Sequence, residues 1–277
     1  MMVRAAVALI AATIVSPALA HEMWLQPSTF SPADDSDVKI TFLVGDAADV
    51  TPWKANWDKL HSFRSFGPDG VTDQMTTLRP VTPNTPENAV VSLKGPGTHM
   101  LVLESYHQPH DMEAGPFNDY LAEDGLTPAI ELRKREGRTN ARGLEVYSRR
   151  AKALIQVGAR PSDEVLKPIG QTLEIVPERN PYSMGANRKL PVKVYYQGRI
   201  LPGALVALTA LGTGSKPVQR HVTDTAGRAV FDVAPRGNWM VSVVWTRPMD
   251  DTKIADFDTI FTSLTFGYPG EHPTLKR

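Results

Sequence analysis

The sequence predicts a mostly β fold with two β-sandwich-like domains and a short helical insertion in the first domain. Two observations predict this fold class. Short runs rich in Val, Ile, Leu and aromatic residues recur along the whole chain, and turn residues separate them. The 23 prolines and 20 glycines are scattered without a period, which is typical of many short strands rather than of a collagen-like or disordered chain.

The chain starts with the features of a cleaved secretory signal, which we assign to residues 1–20. A short basic start ends at Arg4, an apolar run follows over residues 5–15, and Ala18-Leu19-Ala20 fits the small-x-small pattern before a cleavage site. The run is shorter than the about 20 residues of a transmembrane helix. We therefore expect a periplasmic protein whose mature chain does not insert into a membrane.

The first domain is expected over residues 21–160. Strands are predicted at 38–44, 89–93, 99–105 and 152–157. Between the last two, Phe117, Tyr120 and Leu121 recur at i, i+3 and i+4, which places them on one face of a helix, and Gly125 is positioned to end it. A second helical turn is predicted over 130–136, so the helical insertion lies near residues 117–136.

The second domain is expected over residues 170–277. The stretch 159–168 contains two prolines and several charged residues, which is typical of a linker. After it, strands are predicted at 173–176, 190–196, 204–211, 239–245 and 259–266, and the run 221–233 holds a polar turn flanked by two more. About seven strands in roughly 100 residues are typical of a small β-sandwich.

Composition limits the kinds of partner and site. The chain has 30 basic and 30 acidic side chains, which argues against binding to nucleic acid or to an anionic membrane surface. It has no cysteine, so disulfides and thiolate metal sites are excluded. Any metal ion must therefore be held by His, carboxylate, Met or backbone groups.

His21 is the leading candidate metal ligand. If cleavage follows Ala20, His21 becomes the first residue of the mature chain. Its α-amine and its imidazole Nδ1 can then close a six-membered ring around a transition metal, whereas an internal histidine offers one nitrogen. The alternative interpretation is that cleavage falls before a histidine by chance.

His107 and His110 form the best second cluster. Residues 106–113 contain two imidazoles, two carboxylates and a thioether, and they directly follow the predicted strand 99–105. Pro109 excludes an ordinary helix there, so we expect a loop at a sandwich edge, where ligands often concentrate. A solvated polar loop is the alternative.

Two further histidines are weaker candidates. Strand alternation places His99 on the same face as Leu101 and Leu103, which favours a buried structural histidine over a metal ligand. His61 follows an aromatic stretch, and it either lines a pocket or lies exposed on a loop. We do not expect His221 or His272 to bind a metal.

The sequence gives little support for an enzyme. It contains no nucleophile elbow, no phosphate-binding glycine loop and no His-Glu-x-x-His helix. Arg149 and Arg150 are interpreted as surface residues beside a strand. One minor alternative is a histidine-brace copper enzyme, in which His21 and a second histidine hold copper.

Several stretches resemble the DUF4198 family of exported proteins, which is associated with nickel and cobalt uptake. The matching stretches are 21–27, 117–121, 147–158, 173–177, 180–182 and 263–266. The resemblance implies a transthyretin-like or carboxypeptidase-regulatory-like C-terminal sandwich and a metal-linked role for His21. Two features depart from the family pattern: Val244-Trp245 stands where relatives often have a histidine, and Asp256-Phe257-Asp258 replaces a tryptophan-rich stretch.

These observations lead to one main functional hypothesis. We expect a periplasmic accessory to nickel or cobalt uptake that binds a divalent transition metal ion through His21, with copper as an alternative metal. The other expected partner is a membrane metal-transporter subunit. The second hypothesis is a non-catalytic β-sandwich module that binds an envelope protein or a glycan.

Overall fold

A computed structural model describes residues 22–46, 49–54, 57–212, 216–250 and 253–269. The assigned signal, His21 and His272 lie outside the described residues. The described part contains two helices, α1 (Ala114–Glu123) and α2 (Thr127–Arg135). Its strands are β1 (Glu22–Pro27), β2 (Asp37–Asp46), β3 (Asp49–Pro52), β4 (Leu60–Gly67), β5 (Gly70–Asp73), β6 (Ala89–Ser92), β7 (Gly97–Ser105), β8 (Gln108–Met112), β9 (Gly143–Val157), β10 (Leu173–Pro177), β11 (Lys189–Tyr196), β12 (Arg199–Ile200), β13 (Leu205–Leu211), β14 (Gln219–Val222), β15 (Arg228–Asp232), β16 (Asn238–Pro248) and β17 (Phe257–Gly267).

A nine-stranded central sheet runs through the molecule. Its order is β14-β13-β16-β17-β9-β7-β4-β5. The ninth strand, β8, pairs with the first part of β9, on the same side as β7, which pairs with the second part. Neighbouring strands are antiparallel except β17 and β9, which run parallel from the pair Phe257–Glu145 to the pair Thr265–Ala153. The strand that closes the described chain therefore lies in the middle of this sheet.

Two smaller sheets cover the two faces of the central sheet. The first small sheet contains β1, β2, β3 and β6, and the second contains β10, β11, β12 and β15. Strand alternation in β7 sends Leu101 and Leu103 into the core under the first small sheet, and Met100 and Val102 into the core under the second. The predicted mostly β fold with β-sandwich architecture is confirmed. We call the side with Leu101 the first face and the other side the second face.

The predicted domain boundary falls on the connection between β9 and β10. Part of this connection packs inward, because Val165 is buried in the core of the second small sheet. Strands from both sides of the boundary also pair directly in the central sheet, through β9 and β17. The two sandwiches therefore share one sheet. The transthyretin-like character of the second one stays a prediction.

The helical insertion is confirmed, and it covers one end of the first face. Phe117, Tyr120 and Leu121 are the buried residues of α1, as predicted. The Phe117 and Phe257 ring centroids lie 5.9 Å apart, and those of Tyr120 and Phe261 lie 6.3 Å apart. Gly125 follows α1 with a φ of 64°, a left-handed conformation that glycine adopts without strain.

Two sequence-based expectations are wrong in this region. β9 starts at Gly143 rather than near residue 152. The prediction missed its first half because charged side chains interrupt the apolar pattern there, although several of them are buried. Arg149 and Arg150, expected on the surface, are each only 7% exposed.

None of the helices in the described ranges is both long and apolar enough to cross a membrane.

Candidate functional site

A small cavity lies at the start of β1, between the C-terminal end of α1 and the first face of the central sheet. Its volume is about 30 Å³, enough for roughly one water molecule or one ion. Its apolar wall comes from Leu205, Ala207, Pro217, Val243 and Val244, and its polar wall from Glu22, Glu123, Asp124, Arg220 and Ser242. We call it the amino-terminal pocket, because Glu22 is the residue that follows His21.

Hydrogen bonds to the central sheet fix the start of β1. The Ser263 hydroxyl donates to the Met23 carbonyl at 2.7 Å, and the Thr265 hydroxyl donates to the Leu25 carbonyl at 2.8 Å. This placement brings the Glu22 carboxylate to the Ser242 hydroxyl, which donates a hydrogen bond to it. Burial raises the pKa of Glu22, and the Ser242 hydrogen bond opposes that rise.

Asp124 is a second acid of the pocket whose pKa is raised. It follows the last residue of α1, where the negative end of the helix dipole disfavours a carboxylate. Its side chain makes no hydrogen bond or ion pair with another residue of the described chain. Burial, and then the charges of Glu22 and Glu123, raise the pKa of Asp124 to about 8.

Arg220 is the one basic side chain among the described residues of the pocket wall. It extends from β14, and its Nη2 lies 3.7 Å from Glu123 Oε1. Its positive charge lowers the pKa of both Glu22 and Asp124, but only in part. Three carboxyl groups therefore face one guanidinium group, an arrangement that favours an added cation when the carboxyl groups are ionised.

The polar region continues beneath α1 to Glu145 on β9. The fully buried Glu145 carboxylate accepts a hydrogen bond from Thr259 Oγ1 at 2.6 Å. Its charge raises the pKa of Asp124 and of Tyr120, for which burial is the larger cause. Glu145 thus belongs to the same electrostatic region as the amino-terminal pocket.

His107 and His110 lie on opposite faces of the central sheet. His110 pairs with Glu145 across β8 and β9, and its Nδ1 lies 3.1 Å from Glu145 Oε1 on the first face. His107 Nε2 lies 3.1 Å from Asp258 Oδ1. Asp258 pairs with Val146, the neighbour of Glu145, so it points to the second face.

The expected loop over residues 106–113 is therefore wrong, because most of it forms β8. Pro109 is compatible with this strand, which lies at the side of β9 where β7 ends. His107 and His110 are each directed at their own carboxylate rather than at a common ion. Their role as metal ligands stays a prediction.

The other two predicted ligands that the structure describes lie elsewhere. His99 is buried with its Nε2 at 2.9 Å from the Gly95 carbonyl oxygen, in agreement with the structural interpretation. His99 pairs with residue 155 of β9, whereas His110 pairs with residue 145 of β9. At about 3.3 Å per residue, these two positions on β9 lie roughly 30 Å apart. His61 is exposed, and its ring centroid lies 5.4 Å from that of Tyr106.

Across the described ranges, no group of three or more His, Asp or Glu side chains is arranged to hold a metal ion by itself. A metal in the amino-terminal pocket would need a ligand from outside those ranges. His21 is the nearest such residue in sequence, because it directly precedes Glu22.

Sequence reasoning missed Glu22, Asp124 and Glu145. One usable signal existed for Asp124: two adjacent acids, Glu123 and Asp124, end a helix where basic residues are favoured. No sequence signal marks Glu145, because its partners Thr259 and His110 come from distant strands.

Comparison with known proteins gives a family but no function. Similar solved structures include the D0-D1 domain of intimin (14% identity, TM-score 0.20, covering 89% of this chain and 97% of that chain). Another is the Yersinia pseudotuberculosis adhesin InvE (13% identity, TM-score 0.21, covering 90% and 59%). A third is murine CEACAM1b (10% identity, TM-score 0.18, covering 90% and 99%). Identities and TM-scores this low support no functional comparison.

No curated protein matches the sequence significantly. One family model, described as a domain of unknown function, matches residues 18–247. This match covers most of the chain and includes each of the stretches that resemble the family in sequence except 263–266. The chain therefore belongs to the DUF4198 family.

Proposed function

We propose that this protein is a periplasmic metal-binding protein that serves as an accessory to nickel or cobalt uptake, or to copper handling. In this proposal the mature chain begins at His21, which binds a divalent transition metal through its α-amine and imidazole at the amino-terminal pocket. The observation that carries the proposal is Asp124, an acid with a pKa of about 8 and no side-chain partner in the described chain, beside the residue that follows His21.

The chemistry of the available donors supports this choice of ligand. An amine, an imidazole and carboxylate oxygens suit divalent nickel, cobalt, copper and zinc, whereas reduced copper prefers sulfur ligands. A bound divalent cation would also relieve the repulsion between Glu22, Glu123 and Asp124. Because the amine and the acids must be deprotonated to bind, metal affinity should fall in acid.

The test compares the mature protein, with His21 first, with a version that carries one extra alanine before His21. The extra residue turns the α-amine into an amide, which binds nickel only after losing its N–H proton, and leaves every described residue unchanged. Titration calorimetry with NiCl2 at neutral pH should show at least about tenfold weaker binding for the extended version. Equal affinity of the two proteins would contradict the proposal.

Two variants locate the metal within the fold. Asp124→Asn should weaken binding, because it removes a carboxylate from the pocket, whereas His99→Gln should not, because His99 lies far along β9. If Asp124→Asn binds metal as tightly as the mature protein does, the chelate lies away from the pocket.

A second candidate is a non-catalytic module that binds a glycan or an envelope protein. The observation in its favour is a pair of half-exposed aromatic side chains, Trp57 and Tyr106, each 51% exposed, with His61 beside Tyr106. Metal analysis of untagged protein purified from the periplasm separates the two candidates. Absence of metal even after reconstitution would favour the module.

A further inference from the structure

Three ring-bearing side chains lie exposed where β4 and β7 meet. Trp57 and Tyr106 are each 51% exposed, and the exposed His61 has its ring centroid 5.4 Å from that of Tyr106. Trp57 belongs to a short 3₁₀ turn that leads into β4, and Tyr106 directly follows β7. We call these three residues the aromatic surface. Single exposed apolar residues are normal in folded proteins, but a cluster of rings indicates a contact surface.

The backbone holds two of these rings close together. The Tyr106 N–H donates to the Lys59 carbonyl at 2.9 Å, and the Tyr106 carbonyl accepts a hydrogen bond from the Ser105 hydroxyl at 3.0 Å. Because Lys59 ends the turn that begins at Trp57, the α-carbons of Trp57 and Tyr106 lie within roughly 11 Å of one another. The spacing allows both rings to contact one extended partner.

A β-bulge adds His61 to this surface. Leu60 pairs with Ser105 and Ser62 pairs with Glu104, so His61 is an extra residue of β4 without a partner position on β7. Bulges redirect a side chain and are frequent next to functional sites. Here the bulge brings a polar ring beside Tyr106.

The surface beside Trp57 offers little enclosed space. The cleft next to this residue has a volume of about 10 Å³, room for no more than about one water molecule. Leu78 and Arg79 are among its lining residues, and Arg79 is exposed. A partner would therefore lie across the rings instead of entering the protein.

The surroundings of the rings favour a carbohydrate over a protein as this partner. A stable protein interface buries about 800 Å² on each side and has a core depleted in charged residues. Here the exposed Asp58 follows Trp57, Arg79 lines the same cleft, and the exposed His107 follows Tyr106. Sugar rings have apolar C–H faces that stack on aromatic rings and hydroxyl groups that hydrogen-bond to polar neighbours, so they match this alternation.

We infer that the aromatic surface binds an oligosaccharide, whose pyranose rings stack on Trp57 and Tyr106 while its hydroxyl groups bond to His61 and Arg79. The ligand is neutral, because an acid and a base, Asp58 and Arg79, both lie beside Trp57. The inference rests on the second candidate function, the binding module, and names its ligand class. It does not depend on a metal at the amino-terminal pocket.

The experiment titrates the mature protein with chitohexaose, cellohexaose and maltohexaose in a calorimeter. At least one should bind, and Trp57→Ala and Tyr106→Ala should each weaken that binding by about tenfold, the loss expected for one stacking contact. Tyr106→Phe, which keeps the ring, should bind within about threefold of the wild type. The matched control is Val222→Ala, an exposed apolar residue on β14 at the opposite edge of the central sheet, which should have no effect.

The inference is overturned if none of the three oligosaccharides binds, or if the double variant Trp57→Ala, Tyr106→Ala binds as tightly as the wild type. A benzoylphenylalanine crosslinker at position 106, used in cells, separates this failure from that of the second candidate. Crosslinking to an envelope protein without oligosaccharide binding means that the surface contacts a protein, and the module candidate stands. With neither result, the module candidate fails at this surface as well.

Discussion

The amino-terminal pocket and the buried ion pair on the second face treat charge in opposite ways. Lys152 and Glu174 are almost completely buried, and their charged groups lie 2.6 Å apart. Lys152 also donates to the Ile175 carbonyl, and Glu174 accepts the backbone N–H groups of Ile169 and Gly170. Each charge of this pair is matched by an opposite charge and by backbone partners.

In the amino-terminal pocket the acids outnumber the bases, and Asp124 has no comparable partner in the described chain. The buried pair joins β9 of the central sheet to β10 of the second small sheet, so its charges are satisfied within the fold. In the pocket, burial and the neighbouring acids instead raise the pKa of Glu22 and of Asp124, which favours their neutral forms. Matched charge is thus a property of the scaffold, and acids with raised pKa values mark the candidate site.

The largest expected effect comes from breaking the matched pair. Glu174→Ala leaves the Lys152 ammonium buried without its carboxylate, so we expect it to lower the free energy of unfolding by about 3–5 kcal/mol. Urea denaturation measures this change. The double variant Lys152→Met, Glu174→Leu removes both charges and should recover most of the loss; if it is as unstable as the single variant, packing rather than charge is the cause.

Removing the charge of Asp124 should have the opposite effect and raise the free energy of unfolding at high pH. Between the pKa of an unfolded aspartate and about 8, the folded protein binds one proton more at Asp124, so stability falls as pH rises through this window. Asp124→Asn removes this penalty and should stabilise the protein by roughly 1–3 kcal/mol at pH 9, with the gain vanishing near pH 4. Thermal denaturation at the two pH values tests it, and a gain that is equal at both would contradict the titration of Asp124.

His110 in β8 and His107 just before β8 extend the comparison of charged pairs to partly exposed histidines. His110→Ala leaves the buried Glu145 carboxylate with its Thr259 hydrogen bond but without the imidazole. We expect the free energy of unfolding to fall by roughly 1–2 kcal/mol, because a buried acceptor loses a partner. His110→Gln serves as the control, since an amide can donate to the same oxygen.

The smallest effect is expected for His107. Its hydrogen bond lowers the pKa of Asp258, but the imidazole is 49% exposed and Arg247 lies 3.3 Å from the same carboxylate. His107→Ala should change the free energy of unfolding by no more than about 0.5 kcal/mol. Parallel urea titrations measure this change. If His107→Ala lowers the free energy of unfolding as much as His110→Ala does, burial does not explain the difference between the His107–Asp258 and His110–Glu145 pairs.

The sequence predicted the elements whose apolar residues follow a regular pattern. The buried face of α1 and the strands β2, β7, β11 and β16 were recognisable from periodicity or alternation alone. The first half of β9 and all of β8 were missed, because charged and polar side chains occupy them and their partners lie on other strands. Local patterns do not reveal a buried charge whose partner is distant in the chain.

The candidate site was predictable only in part. Sequence drew attention to this region through His21, the predicted start of the mature chain. Glu22, Asp124, Arg220 and Ser242 meet in the pocket only because β1 lies against the central sheet beside the end of α1. The face on which each histidine lies required the register of β8 on β9. Such register depends on long-range pairing that one sequence does not specify.

The place of β17 in the sheet has a consequence for how the protein folds. This strand follows all the other described strands in the chain, yet it pairs with both β16 and β9, and β1 rests on it through Met23 and Leu25. A nascent chain that lacks it cannot link β16 to β9 in the central sheet. Because pairings between distant segments slow folding, we expect the central sheet to be completed only after this strand has been synthesised.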